Sequence, residues 1–431
     1  MNKTEDIYKL FQAHPVICTD TRLLTEGCLF FALKGENFNG NEFADKALND
    51  GAAYAIIDEL EFVVNERSIL VNDVLTTLQQ LAAHHRQQLN IPVLAITGSN
   101  GKTTTKELTA AVLSKKYNTL FTKGNLNNHI GVPLTLLSLT SAHEIAVIEM
   151  GANHQKEIEQ LCKIAQPDYG LITNIGKAHL EGFGGLEGVK KGKGELYQYI
   201  KSINGLIFIN EDNATLRELL ADYTRKIIYG SNQQLDLVGE ALVKNSLLSV
   251  QCTKPFSMVI NTNLTGDYNF ENVMSAITIG NYFKVDSDKI KEAIENYFPS
   301  NQRSQIISKS NNVTIVMDAY NANPSSVNAA LENFSKSFSG DKIIALGDML
   351  ELGNESEAEH LSVINNLHKK NFTKVVLVGP QFKIFEKQSG FQHFNASTEA
   401  AEWFKKNQYN NCYILIKGSR GLKMEVIADI F

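Results

Sequence analysis

The residues with the clearest capacity for chemistry lie between positions 97 and 104, where the sequence reads TGSNGKTT. This segment follows the apolar run 91–96 and precedes a helix-forming run at 107–113. Small residues let the backbone wrap closely, so successive N–H groups and a helix N-terminus can form a cradle for anions. In such a loop Lys102 would reach the β- and γ-phosphates of a nucleotide, and the Thr103 hydroxyl would ligate Mg²⁺.

The spacing of this loop leaves an alternative open. It is two residues shorter than the usual Gly-x-x-x-x-Gly-Lys-Ser/Thr loop, and an ordinary strand-to-helix turn can also contain glycine. Gly-Lys-Thr between a strand and a helix favours nucleotide binding. The residues predicted to contact the nucleotide are Gly98, Ser99, Asn100, Gly101, Lys102, Thr103 and Thr104.

Two further side chains could join the loop in phosphoryl transfer. Glu149 ends the apolar run 145–148, and His179 follows the run 171–173. The carboxyl ends of parallel strands meet at one edge of a sheet, and divalent cations near a γ-phosphate take oxygen or imidazole ligands. Taken alone, a Glu at a strand end is more often a solvated or capping carboxylate, and a single His is more often structural.

The elements that must position these residues fall into three parts. Residues 1–88 contain short strand-like runs and end in a helical pattern. Residues 89–300 contain continuous apolar strands separated mostly by helical patterns, which is typical of a parallel sheet covered on both faces. Residues 301–431 repeat this rhythm without a Gly-x-Gly-x-x-Gly segment, so a dinucleotide is not the default ligand. We therefore predict an α/β fold with a small α/β N-terminal domain, a central P-loop ATPase-like parallel-sheet domain and a C-terminal Rossmann-like domain.

Composition bounds the kind of protein. A length of 431 residues suggests about three domains, and 43% hydrophobic with 20% charged residues is typical of a soluble globular chain. A net charge of −6 gives no support to a nucleic-acid surface. No run approaches the roughly 18 apolar residues of a membrane span, and the N-terminus lacks a signal-peptide core. Five scattered cysteines without Cys-x-x-Cys favour neither a disulfide framework nor a zinc site. We expect a cytoplasmic protein without nucleic-acid binding or membrane insertion.

Several segments together resemble the Mur ligase family, the ATP-dependent amide-forming enzymes that build the peptidoglycan precursor. They read TGSNGKTTTKE at 97–107, GNLNN at 124–128, EMGAN at 149–153 and HLEGFG at 179–184. The short phosphate loop is that family's usual form. Further segments look like the member that adds D-alanyl-D-alanine: DTR at 20–22, FALKG at 31–35, DAYNANPS at 318–325, LGDMLELG at 346–353 and KGSR at 417–420.

The resemblance implies a reaction and its partners. UDP-N-acetylmuramoyl-tripeptide would be joined to D-Ala-D-Ala while ATP gives ADP and phosphate, through an acyl-phosphate on the tripeptide carboxylate. Transfer of a phosphoryl group between two anions requires Mg²⁺ and Lys charge to offset their repulsion. No protein nucleophile is needed, in keeping with the lack of a Cys/His or Ser/His signature. We expect the enzyme to act as a monomer.

The resemblance also implies two Mg²⁺ sites. Thr103 and Glu149 match ligands of one ion, and His179 with a carbamylated lysine matches those around the second. Lys193, within GKGELY at 192–197, occupies the position of that lysine. Reaction of its neutral amine with CO₂ would give an oxygen-bearing anion, the ligand type that Mg²⁺ prefers. The alternative is a solvated basic cluster of Lys190, Lys191 and Lys193.

The remaining carried-over residues surround the substrates. Asn269 and Asn272 match a segment beside the nucleotide base, in which the family often has His where this chain has Tyr268. Arg303 matches an arginine at the phosphates and Asp318 a residue near the ribose, which implies that the third domain closes over the nucleotide. A uridine-side role is implied for Thr21 and Arg22, for which a capping or surface role is the alternative, and a place near the phosphate–substrate junction for Asn127 and Asn128.

Two other functions stay open at this point. A different amide ligase of the superfamily would add an amino acid to muramoyl peptide or glutamate to folate, and the segments 318–325 and 346–353 argue against it. A nucleotide-binding regulatory or scaffold protein would keep the fold without turnover. The presence of Thr103, Glu149, His179 and Lys193 argues against that reading.

Overall fold

The protein is described by a computed structural model covering residues 4–235, 237–244 and 246–431. It divides into two compact units. Unit 1 consists of Met1–Ile96, Tyr117–Gly151 and Lys156–Gly170, and unit 2 consists of Thr97–Lys116, Ala152–Gln155 and Leu171–Phe431. The predicted division at residues 88 and 300 stays a prediction.

The secondary structure alternates strands with helices along the chain. The strands are β1 (Ile17–Cys18), β2 (Leu29–Phe31), β3 (Lys34–Gly35), β4 (Phe38–Asn39), β5 (Tyr54–Ile57), β6 (Ser68–Leu70), β7 (Val93–Thr97), β8 (Thr119–Phe121), β9 (Ile145–Glu149), β10 (Tyr169–Ile172), β11 (Leu206–Asn210), β12 (Lys226–Gly230), β13 (Leu237–Lys244), β14 (Leu247–Lys254), β15 (Met258–Thr265), β16 (Gln305–Lys309), β17 (Val313–Asp318), β18 (Asp341–Gly347), β19 (Lys374–Val378), β20 (Gln392–Phe394) and β21 (Cys412–Lys417).

The α-helices are α1 (Thr4–Ala13), α2 (Ala44–Asn49), α3 (Val74–Gln88), α4 (Lys102–Leu113), α5 (Gly131–Leu137), α6 (Glu157–Ala165), α7 (Leu180–Phe183), α8 (Leu186–Ser202), α9 (Ala214–Leu220), α10 (Phe270–Tyr282), α11 (Ser287–Glu295), α12 (Pro324–Ser337), α13 (Ser356–His368), α14 (Pro380–Lys383), α15 (Glu386–Ser389) and α16 (Ser397–Lys405). Short 3-10 helices cover Thr21–Leu23, Gly40–Phe43, Leu60–Phe62, Asp267–Asn269, Ser310–Asn312, Gly353–Glu355, Arg420–Leu422 and Met424–Ile430. No helix of the described ranges is long and apolar enough to cross a membrane.

Unit 1 contains a parallel sheet in the order β1-β2-β5-β6. Its residues Phe30, Leu48 and Ile57 share a buried apolar cluster, which packs α2 against this sheet. Strands β7, β9 and β8 lie side by side and run parallel, with Ile96 of β7 opposite Glu149 of β9. The register places Glu149 at the carboxyl end of its strand, as the sequence predicted.

Unit 2 contains a six-stranded sheet in the order β16-β17-β21-β18-β19-β20, parallel except for β16. Side chains of β18 alternate between two buried clusters: Ile344 and Leu346 belong to one, Ile343 and Ala345 to the other. Helices cover both faces because each face presents a continuous apolar surface. The predicted Rossmann-like pattern of this region is confirmed.

A second set of strands in unit 2 departs from the predicted pattern. Strands β11, β12 and β13 are parallel neighbours, but β13, β14 and β15 form an antiparallel run. Burial alternates along much of β15 between exposed and buried residues, as expected for a strand solvated on one face. The apolar run 206–209 predicted β11, whereas the antiparallel strands β14 and β15 are not continuous apolar runs and were not predicted.

Candidate active site

The phosphate loop joins β7 to α4 in the way the sequence predicted, although the helix begins earlier, at Lys102. Gly98 has φ +141° and Gly101 has φ +79°, conformations that side chains other than glycine rarely adopt. A Cβ on Gly98 would lie 3.1 Å from the Asn174 backbone nitrogen, and one on Gly101 would lie 3.1 Å from Cγ of Asn272. The two glycines therefore serve both the turn and the close approach of neighbouring segments.

Hydrogen bonds from the segment after β10 fix the loop. The Ser99 N–H donates to the Asn174 carbonyl at 2.9 Å, and the Asn100 N–H donates to Asn174 Oδ1 at 3.0 Å. The Thr173 hydroxyl donates to the Asn100 carbonyl at 2.6 Å, and Ser99 Oγ donates to the Gly176 carbonyl at 3.0 Å. These hydrogen bonds fix the backbone of the loop, as an anion cradle requires.

Lys102 brings a positive charge to the loop itself. Its Nζ donates to the Gly98 carbonyl at 2.7 Å and to the Ser99 carbonyl at 3.2 Å. Thr103 and Thr104 are buried in the first turn of α4, where the dipole of a helix favours negative charge. An ammonium and a helix N-terminus at one loop can together bind a phosphate chain.

Asn269 and Asn272 tie α10 to the phosphate-loop helix. The Thr105 hydroxyl donates to Asn272 Oδ1 at 2.9 Å, Asn272 Nδ2 donates to Asn269 Oδ1 at 2.8 Å, and Asn269 Nδ2 donates to the Thr265 carbonyl at 2.8 Å. Both amides are buried. This series of hydrogen bonds runs through the protein interior and positions the phosphate loop. The predicted place of Asn269 and Asn272 beside the nucleotide base stays a prediction.

The N-terminus of α12, a helix that packs on the six-stranded sheet, also contributes a contact to the loop. Asn323 Nδ2 donates to Asn100 Oδ1 at 2.8 Å. Asn323 is the N-cap of α12, with a reciprocal capping box to Ser326 and Pro324 at the first helical position. The cap fixes the Asn323 side chain at a helix start and directs its amide to the phosphate loop.

Lys177 adds two contacts between the segment after β10 and helices α12 and α13, which pack on the six-stranded sheet. Its N–H donates to Ser325 Oγ at 3.0 Å. Its Nζ pairs with Glu359, whose side chain is only 10% exposed.

His179 lies in the same segment, at φ +53°, as the N-cap of α7. Its Nδ1 makes an ion-pair contact with Glu351, which belongs to the loop after β18. The His179 ring lowers the pKa of the Glu351 carboxyl below its ordinary value by hydrogen bonding and charge. The Glu351 carboxylate, from the loop after β18, therefore lies next to the imidazole, although Nδ1 makes no hydrogen bond of standard geometry among the described residues.

Lys193 is fully buried on α8, with none of its surface exposed. Its Nζ donates to the Ala152 carbonyl at 2.8 Å and lies 4.9 Å from the centre of the Phe183 ring. The alternative of a solvated basic cluster does not fit this position. Lys190, by contrast, pairs with Glu218 at 2.7 Å, and Lys191 is exposed.

Asp318 ends β17, and its carboxylate pairs with Lys417 Nζ at 2.6 Å. The Arg303 guanidinium lies 3.9 Å from the centre of the Tyr320 ring. Its buried Nε has no hydrogen-bond partner among the described residues. Arg303 and Asp318 thus belong to one charged region at the carboxyl edge of the six-stranded sheet.

In unit 1, Glu149 is almost completely buried at 1% exposure. Its Oε1 accepts a hydrogen bond from Asn127 Nδ2 at 2.7 Å, and its backbone N–H donates to Thr122 Oγ1 at 3.0 Å. The Asn128 side chain accepts from the N–H groups of Ile130 and Gly131 at the start of α5. Asn127 and Glu149 are therefore brought together, whereas Asn128 acts as a local turn-forming residue.

Thr21 and Arg22 lie in a 3-10 turn of unit 1 that is capped by Asp20. The Arg22 side chain is 86% exposed and pairs with Asp20 at 2.6 Å. Hydrogen bonds from the Arg22 side chain and backbone lower the pKa of Asp20 to about 2. The Asp20–Arg22 pair is explained by the geometry of this turn. The uridine-side role of Thr21 and Arg22 stays a prediction.

Three residues of this site lie in segments that carry the family resemblance but were not predicted as site residues: Asn323, Glu351 and Lys417. Asn323 could have been found as an N-cap before Pro324. The pairs Lys417–Asp318 and Glu351–His179 join segments distant in sequence, and no local spacing indicates them.

Comparison with known proteins identifies the family. The Mur ligase middle domain matches residues 96–280, the glutamate ligase domain of Mur ligases matches residues 302–420, and the catalytic domain of the Mur ligase family matches residues 16–86. The chain belongs to the Mur ligase family. The resemblance predicted from the sequence is confirmed.

Relatives and solved structures match the chain over nearly its full length. It is 36% identical to the UDP-N-acetylmuramoyl-tripeptide–D-alanyl-D-alanine ligase of Escherichia coli (strain K12), covering 95% of this chain and 92% of the relative. A ligase of the same name from Bacillus subtilis (strain 168) is 35% identical with the same coverage.

The solved structures of this group share the whole fold. MurF from Acinetobacter baumannii has a TM-score of 0.87 and 31% identity, covering 98% of this chain and 97% of that one. MurF ligase from Thermotoga maritima in complex with ADP has a TM-score of 0.84 and 26% identity, covering 96% of each. The predicted α/β fold class is confirmed.

Proposed function

We propose that this chain is an ATP-dependent, ADP-forming amide ligase that joins D-alanyl-D-alanine to UDP-N-acetylmuramoyl-tripeptide, giving the UDP-muramoyl-pentapeptide of peptidoglycan synthesis. The observation that carries the proposal is identity of 35–36% with ligases of that name along 95% of the chain. The preformed phosphate loop supports the use of ATP. Both substrates and the nucleotide are small molecules.

The chemistry balances without a protein nucleophile. A carboxylate oxygen of the tripeptide forms a bond to the γ-phosphorus while the bond to the ADP oxygen breaks. The amine of the dipeptide then attacks the acyl carbon, phosphate leaves with that carboxylate oxygen, and the amine loses a proton. Lys102 offsets the repulsion between the anions, and the loop N–H groups hold the phosphate chain.

Two divalent cations are part of the proposal, on residue types that suit Mg²⁺. Thr103 and Glu149 would hold one Mg²⁺, and His179 with carbamylated Lys193 would hold the second. Hydroxyl, carboxylate and carbamate oxygens are the hard ligands that Mg²⁺ takes, and Lys193 lies buried in the protein rather than in a solvated cluster. Bound Mg²⁺ would neutralise charge on the transferring phosphoryl group.

The other predicted contacts keep their roles in this proposal. Residues 98–104 hold the phosphates. Asn269 and Asn272 act at the base side, Arg303 at the phosphates and Asp318 at the ribose. Thr21 and Arg22 act at the uridine side, and Asn127 and Asn128 at the junction of phosphate and substrate. We also propose a cytoplasmic monomer with domains at 1–88, 89–300 and 301–431.

Amine selection tests the reaction. Purified protein with ATP, Mg²⁺ and UDP-tripeptide should release ADP with D-Ala-D-Ala and form the pentapeptide. Activity with meso-diaminopimelate or glutamate, and none with D-Ala-D-Ala, would overturn the assignment. ATP binding without phosphate release in the presence of both substrates would favour a regulatory protein.

Chemical rescue tests the modified lysine. Lys193→Ala should be inactive and should regain part of its activity with a small added carboxylate, because a free anion can occupy the space of the carbamate. Lys191→Ala, at an exposed position two residues away, is the matched control and should keep its activity. Full activity of Lys193→Ala without any rescue would remove the carbamate from the proposal.

A further inference from the structure

The contact between His179 and Glu351 joins two segments whose backbones are both unusual. His179 has φ +53° and Glu351 has φ +63°, and neither is a glycine. Such conformations are unfavourable for residues other than glycine and persist only where the surrounding structure holds them. Nδ1 of His179 contacts Oε2 of Glu351 between these two segments.

The loop after β18 is held against α7 without help from the Glu351 carboxylate. The Glu181 N–H donates to the Glu351 carbonyl at 3.2 Å. Leu352 and Leu180 are buried in one apolar cluster, and a Cβ on Gly353 would lie 3.1 Å from Cβ of Glu181. Replacement of the carboxylate should therefore leave the loop in place.

An imidazole that binds a metal ion uses the lone pair of one ring nitrogen, and the N–H of the other nitrogen is commonly bound by a carboxylate. The carboxylate fixes the tautomer and the ring orientation. In this protein Oε2 of Glu351 contacts Nδ1 of His179 without standard hydrogen-bond geometry, and the Glu351 side chain is half exposed. A rotation of this carboxylate completes the bond to Nδ1–H, and Nε2 is then the nitrogen left for a ligand.

We propose that Glu351 is a positioning residue, which holds the Nδ1–H tautomer of His179 and leaves the Nε2 lone pair for a divalent cation. The inference rests on the proposed function, in which His179 is a cation ligand. Glu351 comes from the six-stranded sheet and His179 from the segment after β10. Cation affinity therefore depends on the contact between these two parts of unit 2.

Binding of Mn²⁺ alone to the nucleotide-free full-length protein, followed by electron paramagnetic resonance, tests the inference. Glu351→Ala should weaken Mn²⁺ binding by about 10-fold or more, the usual effect of losing such a partner. Glu351→Gln should recover part of the affinity, because its amide oxygen can accept from Nδ1–H. Glu357→Gln, at an exposed position in the first turn of α13, is the matched control and should bind like wild type.

A double-mutant comparison separates positioning from a general structural effect. In the His179→Ala background, Glu351→Ala should cause no further loss of Mn²⁺ affinity. The inference is overturned if Glu351→Ala binds Mn²⁺ with the affinity of wild type. It is also overturned if Glu351→Ala lowers the Mn²⁺ affinity by the same factor in the His179→Ala background as in wild type. Failure of the proposed function would show differently, as a wild-type protein that forms no pentapeptide from the two substrates.

Discussion

The buried ion pair of Asp318 and Lys417 gives a prediction whose size follows from the structure. The Lys417 side chain is 2% exposed and that of Asp318 is 18% exposed, with Nζ and Oδ2 2.6 Å apart. Lys417 Nζ also donates to the Asn321 carbonyl at 3.1 Å. Lys417→Met leaves the Asp318 charge partly buried without its partner, so we expect a loss of ~3 kcal/mol in the free energy of unfolding.

The only tryptophan of the chain, Trp403, makes the assay specific. It lies on α16, which packs on the six-stranded sheet, so its fluorescence during urea unfolding reports on the part of the protein that contains the pair. Lys369→Met, at an exposed lysine after α13, is the matched control and should change stability by less than ~0.5 kcal/mol.

The double variant shows whether the two charges act on each other. Asp318→Asn alone leaves a buried ammonium without its partner. The sum of the losses in unfolding free energy of the two single variants should exceed the loss of the double variant by about 2 kcal/mol. Strictly additive losses, or a Lys417→Met protein as stable as wild type, would refute the reasoning that the charges stabilise this edge as a pair.

Three further perturbations address the loop and its supports. Burial raises the pKa of Glu271 to about 7, with a smaller effect of Asp212, so the folded state binds more protons than the unfolded state between the two pKa values. The free energy of unfolding should therefore fall as pH rises through that window. In urea unfolding, Glu271→Gln should become more stable relative to wild type by up to ~3 kcal/mol between about pH 5 and about pH 8. A difference that does not change with pH would contradict this. Asn272→Ala leaves the Thr105 hydroxyl without its acceptor. The free energy of unfolding in urea should therefore fall by ~1–3 kcal/mol, and the KM for ATP should rise. Unchanged values of both would exclude the positioning role. Lys102→Ala should lower kcat by at least ~10²-fold in a phosphate-release assay. Lys116→Ala, just beyond the C-terminal end of α4, is the control and should not lower kcat. Near-normal turnover of Lys102→Ala would show that the loop assignment is wrong.

The sequence predicted those parts of the fold whose pattern is local. The continuous apolar run before Gly98 predicted β7, because a strand buried on both faces needs no alternation. The start of α4 at Lys102 was placed too late, because Thr103 and Thr104 are weak helix formers that are held in the first turn by the loop. β15 was missed because it alternates between exposed and buried residues.

For the site, the sequence predicted which residues take part but not the contacts that hold them in place. Residue types and the family resemblance indicated Lys102, Glu149, His179 and Lys193, but not what orients them. The burial of Lys193 and the contact of His179 with Glu351 arise from packing between segments far apart in the chain. Such pairings depend on the tertiary fold, and no spacing in the sequence carries them.

The most direct test of the central claim follows one oxygen atom. If the tripeptide carboxylate attacks the γ-phosphorus, UDP-tripeptide labelled with ¹⁸O in both oxygens of that carboxylate should transfer one ¹⁸O to each phosphate released during ligation to D-Ala-D-Ala. Mass spectrometry of the phosphate reads this directly. Phosphate carrying no label, in a reaction that forms the pentapeptide, would contradict an acyl-phosphate route.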